Sequence, residues 1–247
     1  MPAGRITGNR TKIRETYGFF IGIDRYRDRK GIPPLAGCVR DAQRLCDAFT
    51  LQHKKIMKNR EATRKNILSQ IQWYMTNLKT RDLLVLTISA HGTIVNNDFA
   101  IVTYDSESGN LLGTALPTYY MLNALSEITK NGGKVLLILD ACHAGAINFD
   151  VGKYSDILAG GGMSCLNSSG PNEVSYESVF TEGSRQVRQG VFTYYLLEGL
   201  QGGAQTAGLS MITLRDLYDY IYQNVCRHYQ QHPVLIGTLE GSTILKY

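Results

Sequence analysis

Several features that would direct the reading elsewhere are missing from this 247-residue sequence. There is no long hydrophobic run: the longest apolar stretch, residues 83–90, falls far short of the roughly 20 residues that cross a bilayer. The first fifteen residues, MPAGRITGNRTKIRE, hold no apolar core of the kind a secretory leader needs, so none is expected. Cysteine is sparse and odd in number: Cys38, Cys46, Cys142, Cys165 and Cys226 include no CxxC pair. That argues against a disulfide framework and against a zinc site, and it points to a reducing, cytoplasmic setting. No glycine-rich fingerprint follows the first apolar run, where GIDRYRD stands instead, which disfavours a nucleotide- or flavin-binding domain.

A strong excess of either charge is also absent, since Lys and Arg total 26 against 21 Asp and Glu. The basic residues gather in the first fifteen positions (Arg5, Arg10, Lys12, Arg14) and again between His53 and Lys65. No aromatics interleave with them along the chain, as a base-stacking platform requires, so nucleic acid is not an expected partner.

What is present fits a folded α/β protein. Hydrophobic residues make up 43% of a chain long enough to bury a core without staples. Residues 16–23 (TYGFFIGI), 82–90 (DLLVLTISA) and 134–139 (KVLLIL) read as strands, the last two as strands covered on both faces. Shorter strands are expected at 99–103, 234–237 and 243–245. Helical spacing marks 38–51, a helix begun by Thr63 as N-cap, and 118–129, 191–200 and 213–227. Residues 144–171, with Gly160–Gly162 and SCLNSSGP, read as one long irregular loop. The alternation predicts an α/β fold: a mostly parallel central sheet with helices on both faces.

Two of the buried strands run into reactive residues. One ends Ser89-Ala90-His91-Gly92, the other Asp140-Ala141-Cys142-His143-Ala144-Gly145. Ligand sites in parallel sheets lie beyond the carboxyl ends of the strands, so neighbouring strands would bring His91 and Cys142 to one crevice. A free thiol is only about 3% thiolate at pH 7. An imidazole beside it can take its proton and later deliver that proton to a leaving amine. Cys142 and His91 are therefore the expected nucleophile and base, and the backbone N–H groups of Gly92 and Cys142 the expected oxyanion hole. His143, adjacent to Cys142 on an extended chain, should face the other way.

With these residues in view, the chain resembles the caspase/metacaspase superfamily. The matching segments are FFIGIDRY, LAGCVRDA, SAHG, DACHAG and VFTYYLLEGL, in family order from residue 17 onward. Caspases place their histidine about 50 residues ahead of the cysteine, and here the separation is 51. The caspase pentapeptide QAC[RQG]G is absent, and DACHAG is closer to metacaspases and their bacterial relatives. The resemblance implies a caspase-like three-layer α/β/α sandwich over residues 16–247 behind a basic tail, 1–15. It also implies a large-subunit-like part (about 16–150), a linking loop and a small-subunit-like part (about 172–247).

It further implies a thiol protease acting in cell death or defence and regulated by proteolytic processing. By resemblance, Asp41, Asp140 and neighbouring Cys38 form an acidic S1 pocket for a protein or peptide substrate with a basic P1 residue. Arg40, next to Asp41, should point away from that pocket. Lys153, Arg185 and Arg188 are candidate processing positions, for self-cleavage or for an upstream activating protease or regulator. The segment PNEVSYE (171–177) is expected to wall the substrate groove. Asp98, Asp105 and Glu107 are too widely spaced for a metacaspase calcium cluster, so no metal or cofactor is expected. The competing reading is a catalytically silent caspase-like module that acts by binding; in that reading one of the dyad residues is usually lost, and both are present.

Overall fold

The protein is described from a computed structural model covering residues 13–142, 161–205, 211–239 and 243–246. In chain order the strands and helices are β1 (Thr16–Gly22), α1 (Cys38–Ala48), β2 (His53–Lys58), α2 (Arg64–Asn77), β3 (Leu83–Ser89), β4 (Gly92–Val95) and β5 (Asp98–Ile101). There follow α3 (Leu111–Thr114), β6 (Leu116–Pro117), α4 (Thr118–Lys130), β7 (Lys134–Asp140), β8 (Met163–Asn167), β9 (Glu177–Glu182) and β10 (Arg185–Gly190). The chain closes with α5 (Val191–Glu198), β11 (Met211–Thr213), α6 (Leu214–His228), β12 (Val234–Gly237) and β13 (Thr243–Lys246).

Six strands form the central sheet in the order β12-β8-β7-β3-β1-β2. All pairings are parallel except that of the edge strand β12 with β8. Alternate residues of each strand face opposite sides, and the two sides bury separate cores. Leu84 and Leu86 of β3 pack with Ile67 and Ile71 of α2 and Leu122 and Leu125 of α4. Leu83 and Val85 of the same strand pack with Leu45 of α1, Phe192 and Leu196 of α5, and Leu217 and Ile221 of α6. Both faces being covered is why β3 is apolar at nearly every position. The helix starts are encoded locally. The Thr63 hydroxyl accepts the Asn66 N–H at 3.2 Å to cap α2, and Thr213 and Asp216 form a reciprocal capping box on α6. No helix among the described residues is long and apolar enough to cross a membrane.

The irregular loop expected over 144–171 needs correction. Its last third carries β8, a fully buried strand pairing β7 on one side and β12 on the other. Five residues, MSCLN, flanked by glycines on one side and Ser-Ser-Gly on the other, are too short for periodicity to separate a strand from a loop. The helix expected over 191–200 ends at Glu198 and continues as a π-turn, Gly199–Gly203, that Gly202 closes at φ 114°.

Candidate active site

Strands β3 and β7 are neighbours in the register Ser89↔Asp140, so they end flush. The chain that leaves each strand therefore emerges at the same rim. His91 and Cys142 both line one cavity of about 70 Å³ there, together with Asp41, Asp140, Glu177 and Gly190. That space is several times the roughly 10–15 Å³ a single water needs by the same measure.

The His91 ring is fixed from both ends of its residue. Its backbone N–H donates to the Tyr26 hydroxyl (3.0 Å), which donates in turn to the Ile23 carbonyl (3.2 Å). Ring nitrogen Nε2 lies 2.9 Å from the Pro33 carbonyl oxygen. A carbonyl can only accept, so Nε2 is the donor in this contact, and in the tautomer it favours Nδ1 is the lone-pair nitrogen. Tyr26 stood in the sequence reading only within GIDRYRD and FFIGIDRY, and neither it nor Pro33 was given a role at the site. Gly92 packs against the other half of the site: a Cβ at this position would stand 2.2 Å from the Cys142 carbonyl oxygen, so only glycine lets the two segments meet.

The Cys142 thiol is half-buried, and its Sγ lies 3.8 Å from the Ser175 carbonyl. Burial pushes the thiol above its ordinary range. The resting sulfur is thus a neutral thiol with its proton directed at a main-chain oxygen. His143 and Lys153 lie outside the described residues.

Beside Cys142 and His91 the cavity is acidic. Asp41, in the first turn of α1, is 1% exposed. Its Oδ2 accepts from the Ser89 hydroxyl (3.3 Å) and the Gly190 N–H (3.2 Å), while its Oδ1 is buried with no partner among the described residues. Burial, and then the nearby charge of Asp140, raise the Asp41 carboxyl well above the usual carboxylate range. Asp140 is raised by burial too, and its two oxygens accept from the hydroxyls of Ser175 and Thr193, both at 2.6 Å. Gly190 separates the two acids: a Cβ there would lie 2.4 Å from Asp140 Oδ2 and 3.0 Å from Asp41 Oδ2. Cys38 lines the same cavity with its thiol buried. Arg40 points away, its guanidinium donating to the Arg188 carbonyl.

Glu177 is a third acid in the cavity, and no sequence motif singled it out beyond its place at the end of PNEVSYE. Its carboxylate accepts the Gly37 N–H at 2.7 Å, as Asp24 accepts the Cys38 N–H at 2.8 Å, so two distant acids cap α1, whose own N-cap, Gly37, has no side chain. Ligand atoms of Asp24, Cys38 and Glu177 lie within 4.8 Å of one another. Both carboxylates already serve the positive end of a helix, which repels a cation. Of the acids weighed for calcium, Asp105 caps α2 through the Arg64 N–H, Glu107 faces Arg27, and Asp98 sits in β5.

Residues 175–177 form a strap over the site, tied down by a glutamine 55 residues away from Tyr176 in sequence. Gln231 is fully buried. Its Nε2 donates to the Ser168 carbonyl (2.8 Å) and the Ser175 hydroxyl (3.3 Å), and its Oε1 accepts the Tyr176 N–H (3.0 Å). Gln231→Ala strands buried groups and opens a cavity, and is expected to cost about 2–4 kcal/mol of stability by urea unfolding. A loss below about 0.5 kcal/mol would mean that the strap is held elsewhere. Arg185 and Arg188 lie in β10, paired with β9 in a hairpin, whose ladder must open before either peptide bond could enter a protease groove.

Comparison with known proteins supplies the family. The sequence profile of the caspase domain matches residues 17–242. None of the curated proteins matches. Among solved structures, the chain is similar to a protein of Geobacter sulfurreducens determined by a structural-genomics programme. The two share 18% sequence identity and a TM-score of 0.64 over 91% of this chain and 94% of the other, a likeness of fold. With its sandwich of helices about a mostly parallel sheet and its profile match over nearly the whole length, the chain belongs to the caspase-domain family of cysteine peptidases.

Proposed function

We propose that this domain is an endopeptidase that cleaves protein chains after arginine or lysine, with Cys142 as nucleophile and His91 as base. One observation carries the reading: a buried carboxyl oxygen of Asp41, without a partner among the described residues, in the same cavity as Cys142 and His91. A guanidinium or ammonium entering there supplies the missing donor, and the desolvated site strengthens the attraction. The scissile carbonyl then lies by the sulfur. The thiol proton passes to His91 Nδ1 while sulfur bonds to the carbonyl carbon, and the oxyanion takes N–H donors from Gly92 and Cys142. Collapse breaks the C–N bond, with the amine leaving on the proton held by His91. Water, deprotonated by the same imidazole, releases the acid and restores the thiol.

A panel of coumarin-releasing peptides differing only at the cleaved position tests this. Turnover is expected after arginine, lower after lysine, and absent after aspartate; preference for aspartate would overturn it. The proposal includes calcium independence: EDTA should leave the rate unchanged, and loss of turnover restored by Ca²⁺ alone would contradict that. It also includes a cytoplasmic site of action and a role in regulated proteolysis, in cell death or defence. Lys153, Arg185 and Arg188 carry the chemistry for cleavage by a second copy or an upstream protease. Intact masses of wild type and Cys142→Ala after co-incubation would differ if the enzyme processes itself.

A further inference from the structure

The basic run from His53 to Lys65 finds no use in the chemistry at Cys142, and the fold gives it a setting the linear sequence conceals. β2 is the edge of the central sheet, at the opposite side from β12. Beside it runs a groove between β2 and α2, made of two adjoining hollows of about 450 and about 480 Å³ that share Lys55, Gln70 and Trp73. Tyr17 forms part of its floor and is stacked on His53 at 4.7 Å between ring centroids. Trp73, the chain's only tryptophan, lines the groove while 47% exposed, with its ring centroid 5.3 Å from that of Tyr74. Tyr17 and His53 lie at the amino ends of β1 and β2, so the groove opens about 20 Å, one strand length, from the rim that holds the dyad.

Two properties define what fits. The first is charge. Lys54, Lys55, Lys58, Arg60, Arg64 and Lys65 are joined by a single acid, Glu61, within the run. Among the described residues no carboxylate forms an ion pair with any of the six. The second is the open edge. On its outer side β2 meets no strand among the described residues, and the one outside contact of its main chain is the Lys58 N–H, 3.4 Å from the Glu61 carboxylate. Lysines on an edge strand also discourage sheet-to-sheet association. That purpose accounts for Lys54 and Lys55 but not for an exposed indole over a hollow between strand and helix.

We infer that β2 and the Trp73 groove are a docking surface for an extended acidic peptide segment of a partner protein, which adds as a strand to β2 and lays alternate side chains over Trp73. Unpaired N–H and C=O groups alternating along β2 call for a backbone that both donates and accepts, which a peptide does and a phosphodiester chain does not. The chain's own first residues are poor occupants, because Arg5, Arg10 and Lys12 would meet like charge. The inference stands apart from the chemistry at Cys142.

The test uses the full chain carrying Cys142→Ala and reads the emission of Trp73. The probes are a capped peptide of alternating glutamate and valine matched to the length of β2, the same peptide with alternate amides N-methylated, and an oligouridylate. The capped peptide is expected to give a saturable change. N-methylation, or the double variant Lys54→Glu/Lys55→Glu with unchanged Tm, should weaken it by about tenfold or more. Absence of a saturable change, equal binding of the N-methylated peptide, or a response to oligouridylate alone would each overturn the inference, the last in favour of nucleic acid.

Discussion

Replacing Asp41 by asparagine is expected to make the protein more stable at neutral pH and almost inactive on arginine substrates. The side chain is buried, its Oδ2 holds two donors and its Oδ1 none among the described residues. An asparagine oxygen can take over the contacts to Ser89 and Gly190, and the amide has no acidic group to ionise in the buried site. Because the folded state raises the Asp41 carboxyl pKa, the folded protein holds this proton more tightly than the unfolded chain. Below about pH 3.9, where both states are protonated, Asp41 costs nothing. As pH rises through that value the unfolded chain ionises first, and stability falls until pH passes the folded-state value. The gain in Tm of the Asp41→Asn variant should therefore be near zero around pH 4 and grow toward neutrality. About 1–2 kcal/mol is expected, at roughly 2–4 °C per kcal/mol for a domain of this size. Asp140, shifted in the same direction, keeps its own slope in both proteins. Loss of the partner to a buried cation costs about 3–5 kcal/mol, so kcat/KM on an arginine peptide should drop by about 10² to 10³-fold or more. A variant that is less stable at pH 7, or that cleaves arginine peptides normally, would contradict this account.

On the proposed mechanism Cys142→Ala should lower amide hydrolysis by about 10⁴-fold or more, and His91→Ala should come close to it, because a nucleophile and its base act as one unit and their losses do not add. The two variants differ in what remains. With His91 gone, Cys142 keeps its sulfur, and slow alkylation by iodoacetamide should persist and climb with pH through the high range to which burial moves the thiol. In wild type, an arginine peptide chloromethylketone should label Cys142 quickly at neutral pH, as the proposed transfer of its proton to His91 requires. Mass spectrometry locates the adduct. Equal labelling of the wild type and the His91 variant would remove His91 from the mechanism.

The strands that place His91 and Cys142 were legible because burial on both faces writes a continuous apolar run, as in β3 and β7, and the residues after each run are then fixed at the rim. Asp41 and Asp140 were reached through family resemblance; the structure brings them to one cavity, though with Asp140 occupied by two hydroxyls. The edge strand β2 was not legible: HKKIMK buries a single side chain, Met57, and reads as a charged surface. β9 and β10, in ESVFTEGSRQVRQG, hide for a similar reason, being a two-stranded hairpin with mostly exposed or half-exposed residues. Pro33, Tyr26 and Gln231 act through contacts spanning 55 to 65 residues. Such contacts exist only once the sheet has assembled, and no local pattern records them. The aromatics flanking the basic run were invisible likewise, because Tyr17 and Trp73 reach it from another strand and from a helix.

The proton that Cys142 directs at the Ser175 carbonyl has a chemical consequence beyond peptide cleavage. Peroxide attacks thiolates, and a sulfur kept neutral by its surroundings climbs slowly to the sulfenic and sulfinic acids. In the proposed reaction the sulfur gives up that proton only as it bonds to the substrate carbonyl, so a bound peptide covers the sulfur and leaves no free thiolate for peroxide. Oxidative inactivation of this domain should accordingly be slow in the idle enzyme and slower still in the fraction engaged with substrate during a burst of peroxide.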